Sequence, residues 1–203
     1  MRACSSPWQV VHTYRVTRPP FAIKKEPVVQ RDFMKNSECG IDGTDCQIAI
    51  VVSTFNEVVT NRLLAAAELT LTHLGTPQHH IQVIRVPGAF EIPLTAKTLA
   101  QSRRFDAIIC LGAVIRGETP HFDYICAETS RGIGHASLET GIPIIFGVLT
   151  TDTVEQAMER SGPPERNKGA DAARTAIEMA VLMKRLSQAN IRQSGFLREP
   201  TKS

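Results

Sequence analysis

The chain has 203 residues, 42% of them hydrophobic and 21% charged, enough to bury one full core and ordinary for a globular domain. No apolar run reaches the ~18 residues a membrane helix needs, and the longest, Ala107–Ile115 and Ile142–Leu149, are strand-sized, so no membrane partner is expected. The net charge of +3 is uneven: residues 1–33 carry six Lys/Arg against Glu26 and Asp32, while the remaining 170 residues carry 17 basic against 18 acidic side chains. The basic character belongs to the N-terminal stretch, and the body has no nucleic-acid footprint.

That stretch, residues 1–46, contains Pro19-Pro20 and Pro27 and shows no period, so it is expected to be a disordered extension. Its lack of acids through Lys25 suggests a transit peptide, which its few serines and missing amphipathic arginine helix oppose. Cys39 and Cys46 are too far apart for the two-residue spacing of a metal site, and no histidine pair completes them. An odd set of five cysteines without close pairs fits a reduced compartment, and Cys110, inside an apolar run, reads as a core residue. Neither a metal nor a cofactor is expected.

From Gln47 the pattern becomes regular. Gln47–Ser53 is a continuous β-branched run of strand length. Leu63, Ala67, Leu71 and Leu74 then recur at helical spacing until Gly75 stops the helix. Ile81–Val86 is a second strand, broken by Pro87-Gly88, and Glu91–Ser102 reads as a helix with Pro93 tolerated in its first turn. Asp106–Leu111 is the third strand, Gly112–His121 a loop rich in backbone donors, and about Phe122–Glu139 a helix. Ile142–Leu149 is the fourth strand. Thr153-Val154-Glu155-Gln156 resembles a capping box, Gly162-Pro163-Pro164 breaks the short helix it opens, and an Ala-rich helix runs from Lys168 to about Gln188. Residues 189–203 read as a frayed tail, leaving 47–188 as the body.

Strands alternating with helices, and apolar on both faces, predict a flavodoxin-like α/β fold: a three-layer α/β/α sandwich with a central parallel four-stranded sheet. Ligands of such sheets bind beyond the carboxyl ends of the strands. Those ends are Thr54-Phe55-Asn56, Pro87–Glu91, Ala113–His121 and Thr150–Thr153, and the unusual residues gather there. Phe55 either stacks on a planar heterocycle or packs a helix. Glu91 either accepts hydrogen bonds from ligand hydroxyls or complements a helix dipole. His121, just after Pro120, either caps or packs a strand-to-helix turn or stands beside backbone donors, a place to hold an anion next to a proton shuttle. Arg160 and Lys168 flank the Pro-Pro break as solvated helix-end charges or as a phosphate clamp. Gly132-Ile133-Gly134 follows no strand and has Ser137 at the third glycine position, so it is no dinucleotide fingerprint, and no P-loop exists.

Five segments in this order, Phe55-Asn56, Val86–Pro93, Gly112–Tyr124, Phe146–Thr151 and Asn167–Asp171, resemble the lumazine synthase family over about Gln47 to Gln188. The resemblance implies condensation of 5-amino-6-(D-ribitylamino)uracil with 3,4-dihydroxy-2-butanone 4-phosphate, giving 6,7-dimethyl-8-ribityllumazine, phosphate and water in the penultimate step of riboflavin biosynthesis. It implies that Phe55 stacks on the pyrimidine and that Ala89, Phe90 and Glu91 hold the ribityl chain and ring. Ala113, Val114 and Ile115 would line the same pocket, and Glu118 and Thr119 would lie at the phosphate end, where Arg160 and Lys168 supply positive charge. His121 matches the family's proton-transfer residue, and Phe146 completes the wall across a subunit contact.

That chemistry needs orientation and proton transfer rather than a covalent nucleophile, and an imidazole, titrating near ~6.5, gives and takes protons. The resemblance further implies self-association into pentamers, and in some members sixty-subunit shells. The turn Gly162-Pro163-Pro164-Glu165-Arg166 departs from the family's Gly/Lys-rich turn, and the extension needs room on any shell, two features that count against a sixty-subunit shell while leaving pentamer and shell both open. A cytoplasmic enzyme is expected, or a plastid one if the extension is a transit peptide. The competing readings are a non-catalytic flavin- or lumazine-binding protein and a shell-forming paralogue without activity.

Overall fold

The computed structural model describes residues 41–163 and 166–194. Residues 1–40 of the expected extension therefore lie outside it, as do Pro164-Glu165 and the end of the tail. Four strands, β1 (Ile48–Ser53), β2 (Ile81–Val86), β3 (Ala107–Ile115) and β4 (Ile144–Thr151), form one sheet in the order β2-β1-β3-β4. Every pairing is parallel. The helices are α1 (Glu57–His73), α2 (Ile92–Gln101), α3 (His121–Thr140), α4 (Val154–Arg160) and α5 (Lys168–Ser194).

Alternation along the strands sorts the core into two layers. Ile48, Ile50 and Val52 of β1, with Ile109 and Leu111 of β3, pack on Leu63, Ala67 and Leu71 of α1 and on Ala173, Ala176 and Ile177 of α5. Their neighbours Ala49, Val51, Ile108 and Cys110 pack on Ile92, Ala96 and Ala100 of α2 and on Ile133 and Ala136 of α3. The three-layer α/β/α sandwich predicted for the chain is the one found. Among the described residues no helix is long and apolar enough to cross a membrane.

Small residues set how closely the layers approach. A Cβ on Gly169 would overlap the backbone carbonyl of Leu63, so the start of α5 lies directly against α1. Gly147 is less tight but still without room, its added Cβ lying 2.8 Å from the Cys110 carbonyl oxygen. At the start of α4, Thr153 accepts from the Gln156 amide as expected of a cap. The glutamine side chain reaches back one residue further than in a capping box, accepting from the Asp152 amide at 2.9 Å.

The boundaries differ from the sequence reading at β3, at β4 and at both ends of the body, and at the two strands the physical reason is plain. β3 continues through Ile115 instead of ending at Leu111, because β4 pairs with it as far as Ile115 opposite Thr151. Gly112 therefore marks a close approach rather than a turn: a Cβ there would meet Ile92 Cδ1 at 3.1 Å and Val148 Cγ1 at 3.3 Å. β4 begins at Ile144, since Gly141 ends α3 with φ 69° and Pro143 has no amide to donate. Finally, α5 remains helical through Ser194, into the stretch read as tail. At the other end, Cys46, inside the stretch read as extension, is 2% exposed and belongs to the core.

Candidate functional site

The carboxyl ends of β1, β2 and β3 are tied together before any functional group is placed. The amides of Thr54 and Phe55 donate to the carbonyls of Val86 and Pro87 at 2.8 and 3.0 Å, fixing the β1 loop to the Pro-Gly turn. Asn56 adopts the left-handed conformation, φ 60° and ψ 45°, which asparagine tolerates better than most residues. Its side-chain amide donates to the Ala113 carbonyl at 2.8 Å, locking the same loop to β3. Phe55, between these ties, is left 69% exposed, an aromatic face held in place without burial.

The Pro87-Gly88 break leads into a single 3₁₀ turn, Ala89–Glu91, and Glu91 is the N-cap residue of α2. Ala89 is buried, with its carbonyl accepting from the Thr129 hydroxyl at 3.3 Å, while Phe90 is 57% exposed. The Glu91 carboxylate lies over Gly88, where an added Cβ would come 3.0 Å from its Oε2. Glycine here keeps the carboxylate close to the backbone.

The third wall is the extended end of β3. Ala113, Val114 and Ile115, then Gly117 and Thr119, then His121, Phe122 and Ile125 from the first turns of α3, close a cavity of about 640 Å³ with Phe55, Gly88, Ala89, Phe90 and Glu91. His121 is the first residue of α3 and is exposed. Glu118, in the same loop, is exposed and does not line the cavity. A space of this size suits a small heterocyclic ligand, with apolar walls and a few polar groups to orient it.

Phe146, Arg160 and Lys168 lie elsewhere. They line a second cavity of about 560 Å³ along β4, with Gly147–Thr150, Asp171 and Thr175, and it shares no residue with the first. β4 is an edge strand, which leaves Phe146 44% exposed. Arg160 donates to the Gln156 carbonyl of its own helix at 3.1 Å, and the Lys168 ammonium lies 2.8 Å from the Asp171 carboxylate. Within one chain, ten of the residues singled out from sequence are brought into or beside the first cavity, and the two cations and Phe146 are not.

Sequence reasoning gave no role to Phe122 and Ile125 in the wall, nor to Asn56 and Arg116 in holding it. Ile125 was findable: it stands one helical turn after His121 and shares its face. Arg116 gave no local signal, because its partners Asp123 and Asp152 belong to two other elements.

A family model described as 6,7-dimethyl-8-ribityllumazine synthase matches residues 45–184. The 6,7-dimethyl-8-ribityllumazine synthase of Syntrophus aciditrophicus (strain SB) is 60% identical over 140 residues, which cover 69% of this chain and 91% of that protein. A match across the whole sheet and every loop of both cavities leaves one conclusion: the chain belongs to the 6,7-dimethyl-8-ribityllumazine synthase family.

Proposed function

We infer that this chain condenses 5-amino-6-(D-ribitylamino)uracil with 3,4-dihydroxy-2-butanone 4-phosphate, and that the two substrates meet in the cavity between Phe55 and His121. The observation that carries the assignment is the convergence of Phe55, Glu91, Thr119 and His121 from three chain segments onto one space at the carboxyl ends of the strands. Phe55 offers a held aromatic face for the pyrimidine, and Ala113, Val114 and Ile115 form the floor under it. Ala89, Phe90 and Glu91 take the ribityl side, where the Glu91 carboxylate accepts from hydroxyls.

The diamine supplies the nucleophile. One amine attacks the butanone carbonyl and water leaves. Carbon-bound hydrogen is then lost as a proton while phosphate departs, and attack by the second amine closes the ring with loss of another water. Each step moves a proton at the cavity mouth, where His121 is the group placed to accept and return it. Juxtaposing the substrates supplies much of the remaining acceleration, up to roughly 7–11 kcal/mol in well-oriented cases.

Phosphate needs positive charge, and among the described residues the first cavity has no lysine or arginine in its wall. Arg160 and Lys168 carry that charge on the β4 edge, so we assign them, with Phe146, to the site of a neighbouring copy. Glu118 and Thr119 lie on the loop that would face them. A repeated contact of this head-to-tail kind closes into a ring, and the pentamer is the assembly proposed. The Gly162–Arg166 turn and the N-terminal extension favour the pentamer over a sixty-subunit shell.

Residues 47–188 are the proposed catalytic body, to which the structure adds Cys46 and the last turns of α5, and the stretches before and after are its extensions. The proposed address is the cytoplasm, or a plastid if residues 1–46 act as a transit peptide, and a fluorescent fusion of those residues distinguishes the two. The test of function is to mix the protein with both substrates and follow lumazine fluorescence against the slow uncatalysed background. Clear acceleration supports the assignment, and background-rate turnover by a folded sample removes it.

A further inference from the structure

Arg116 follows the last paired residue of β3, and its amide donates to the Thr151 carbonyl at 2.9 Å, so its backbone is fixed at the sheet's end. Its side chain joins three groups. Nε donates to Asp152 at 2.8 Å, just past β4. One terminal nitrogen donates to Asp123 at 3.1 Å, seven residues ahead in the first turn of α3. The guanidinium carbon sits 4.1 Å from the centre of the Phe122 ring, a cation–π distance.

The segment between Arg116 and Asp123 carries Thr119 and His121, and it has little else to hold it. A Cβ on Gly117 would meet nothing within 4 Å, and Glu118, Thr119, Pro120 and His121 are all exposed. Its hydrogen bond nearest the helix, from the Asp123 amide to the Pro120 carbonyl, is local to the first turn. The clamp thus closes the loop by gripping the two residues that follow His121. Only a planar fork reaches two carboxylates on different elements while stacking on a ring, which a lysine cannot reproduce.

We propose that Arg116 is a positioning residue for the condensation, holding the Gly117–His121 segment so that the His121 imidazole faces the reacting atoms. The inference rests on the catalytic reading given above. Its two ion pairs are surface-exposed, and exposed ion pairs contribute little to global stability. Misplacing a catalytic group by an ångström, in contrast, is costly to rate.

The experiment is a double-mutant cycle on the full-length protein: wild type, Arg116→Ala, His121→Ala and the double variant, with kcat, KM and melting temperature for each. We expect Arg116→Ala to lower kcat roughly tenfold with a nearly unchanged melting temperature. In the His121→Ala background the same change should cost less than about twofold, because the group it positions is gone. Arg116→Lys should fall with the alanine variant. An equal penalty in both backgrounds, wild-type kcat in Arg116→Ala, or full activity in Arg116→Lys would each overturn the proposal. If Arg116→Ala does not fold, Asp152→Asn, which removes one arm of the clamp, takes its place in the same cycle. If wild type forms no lumazine, the catalytic reading falls separately. The clamp is then judged by amide hydrogen exchange at 117–121, which should quicken in Arg116→Ala and would refute the clamp if unchanged.

Discussion

The two cavities of this chain are built on opposite principles. The first is walled by three strand ends tied together through backbone hydrogen bonds and Asn56, and it is furnished with an aromatic face, a carboxylate and a histidine. The second lies along an edge strand, holds Arg160 and Lys168, and directs both cations toward partners within their own helices. A strand at a sheet edge must be covered or paired, whereas a crevice beyond parallel strands is walled by the loops of its own chain. The chain is therefore proposed to carry one preformed half of a site and one half that needs an opposite face.

The largest effect should come from the first half. His121→Ala is expected to slow turnover by about 10²–10⁴-fold without abolishing it, since orientation of the substrates survives. Steady-state rates at saturating substrate decide this, and wild-type turnover would remove His121 from the mechanism. Next in size is the second half. Arg160→Ala would delete the proposed charge-assisted contact to phosphate, worth ~1.5–3 kcal/mol, so KM for the butanone phosphate should rise by roughly one to two decades while KM for the diamine holds. Equal rises for both substrates would break the division of labour.

A third variant tests the scaffold that carries the cations. Gly169→Ala forces a methyl into the Leu63 backbone and should cost about 1–3 kcal/mol by overpacking, read as a lowered denaturation midpoint. Unchanged stability would mean that α1 and α5 are not pressed together there. The smallest effect is a null one. Burial pushes the Cys110 thiol far up, so it stays protonated and enclosed, and labelling of the native protein with a thiol reagent should leave Cys110 unmodified until unfolding.

Much of this was legible in the chain itself. Gln47–Ser53 and Ile81–Val86 read as strands from β-branched runs alone, and Pro87-Gly88 announced the break that exposes Phe90 and Glu91. His121 stood out because it follows a strand-end loop and a proline. Less legible was the length of β3, because Gly112 looks like punctuation until Ile92 and Val148 are seen against it. The grip of Arg116 on Asp123 and Asp152 depends on tertiary proximity and leaves no periodic trace. The separation of Arg160 and Lys168 from His121 was hidden for another reason: sequence order places residues on elements, but the position of β4 at the edge is a property of the strand order. The family resemblance supplied the roles, and the geometry places the residues that would carry them in two separate cavities.

The most direct test of a site shared between copies is complementation. His121→Ala and Arg160→Ala chains, each impaired alone, would be co-expressed under separate tags and the mixed oligomers purified. If one copy contributes His121 and its neighbour Arg160, random mixing in a head-to-tail ring should restore about a quarter of the sites to wild type. Turnover well above that of either parent is the predicted result. Mixed oligomers no faster than the average of their parents would place both residues in one chain's site and contradict the account.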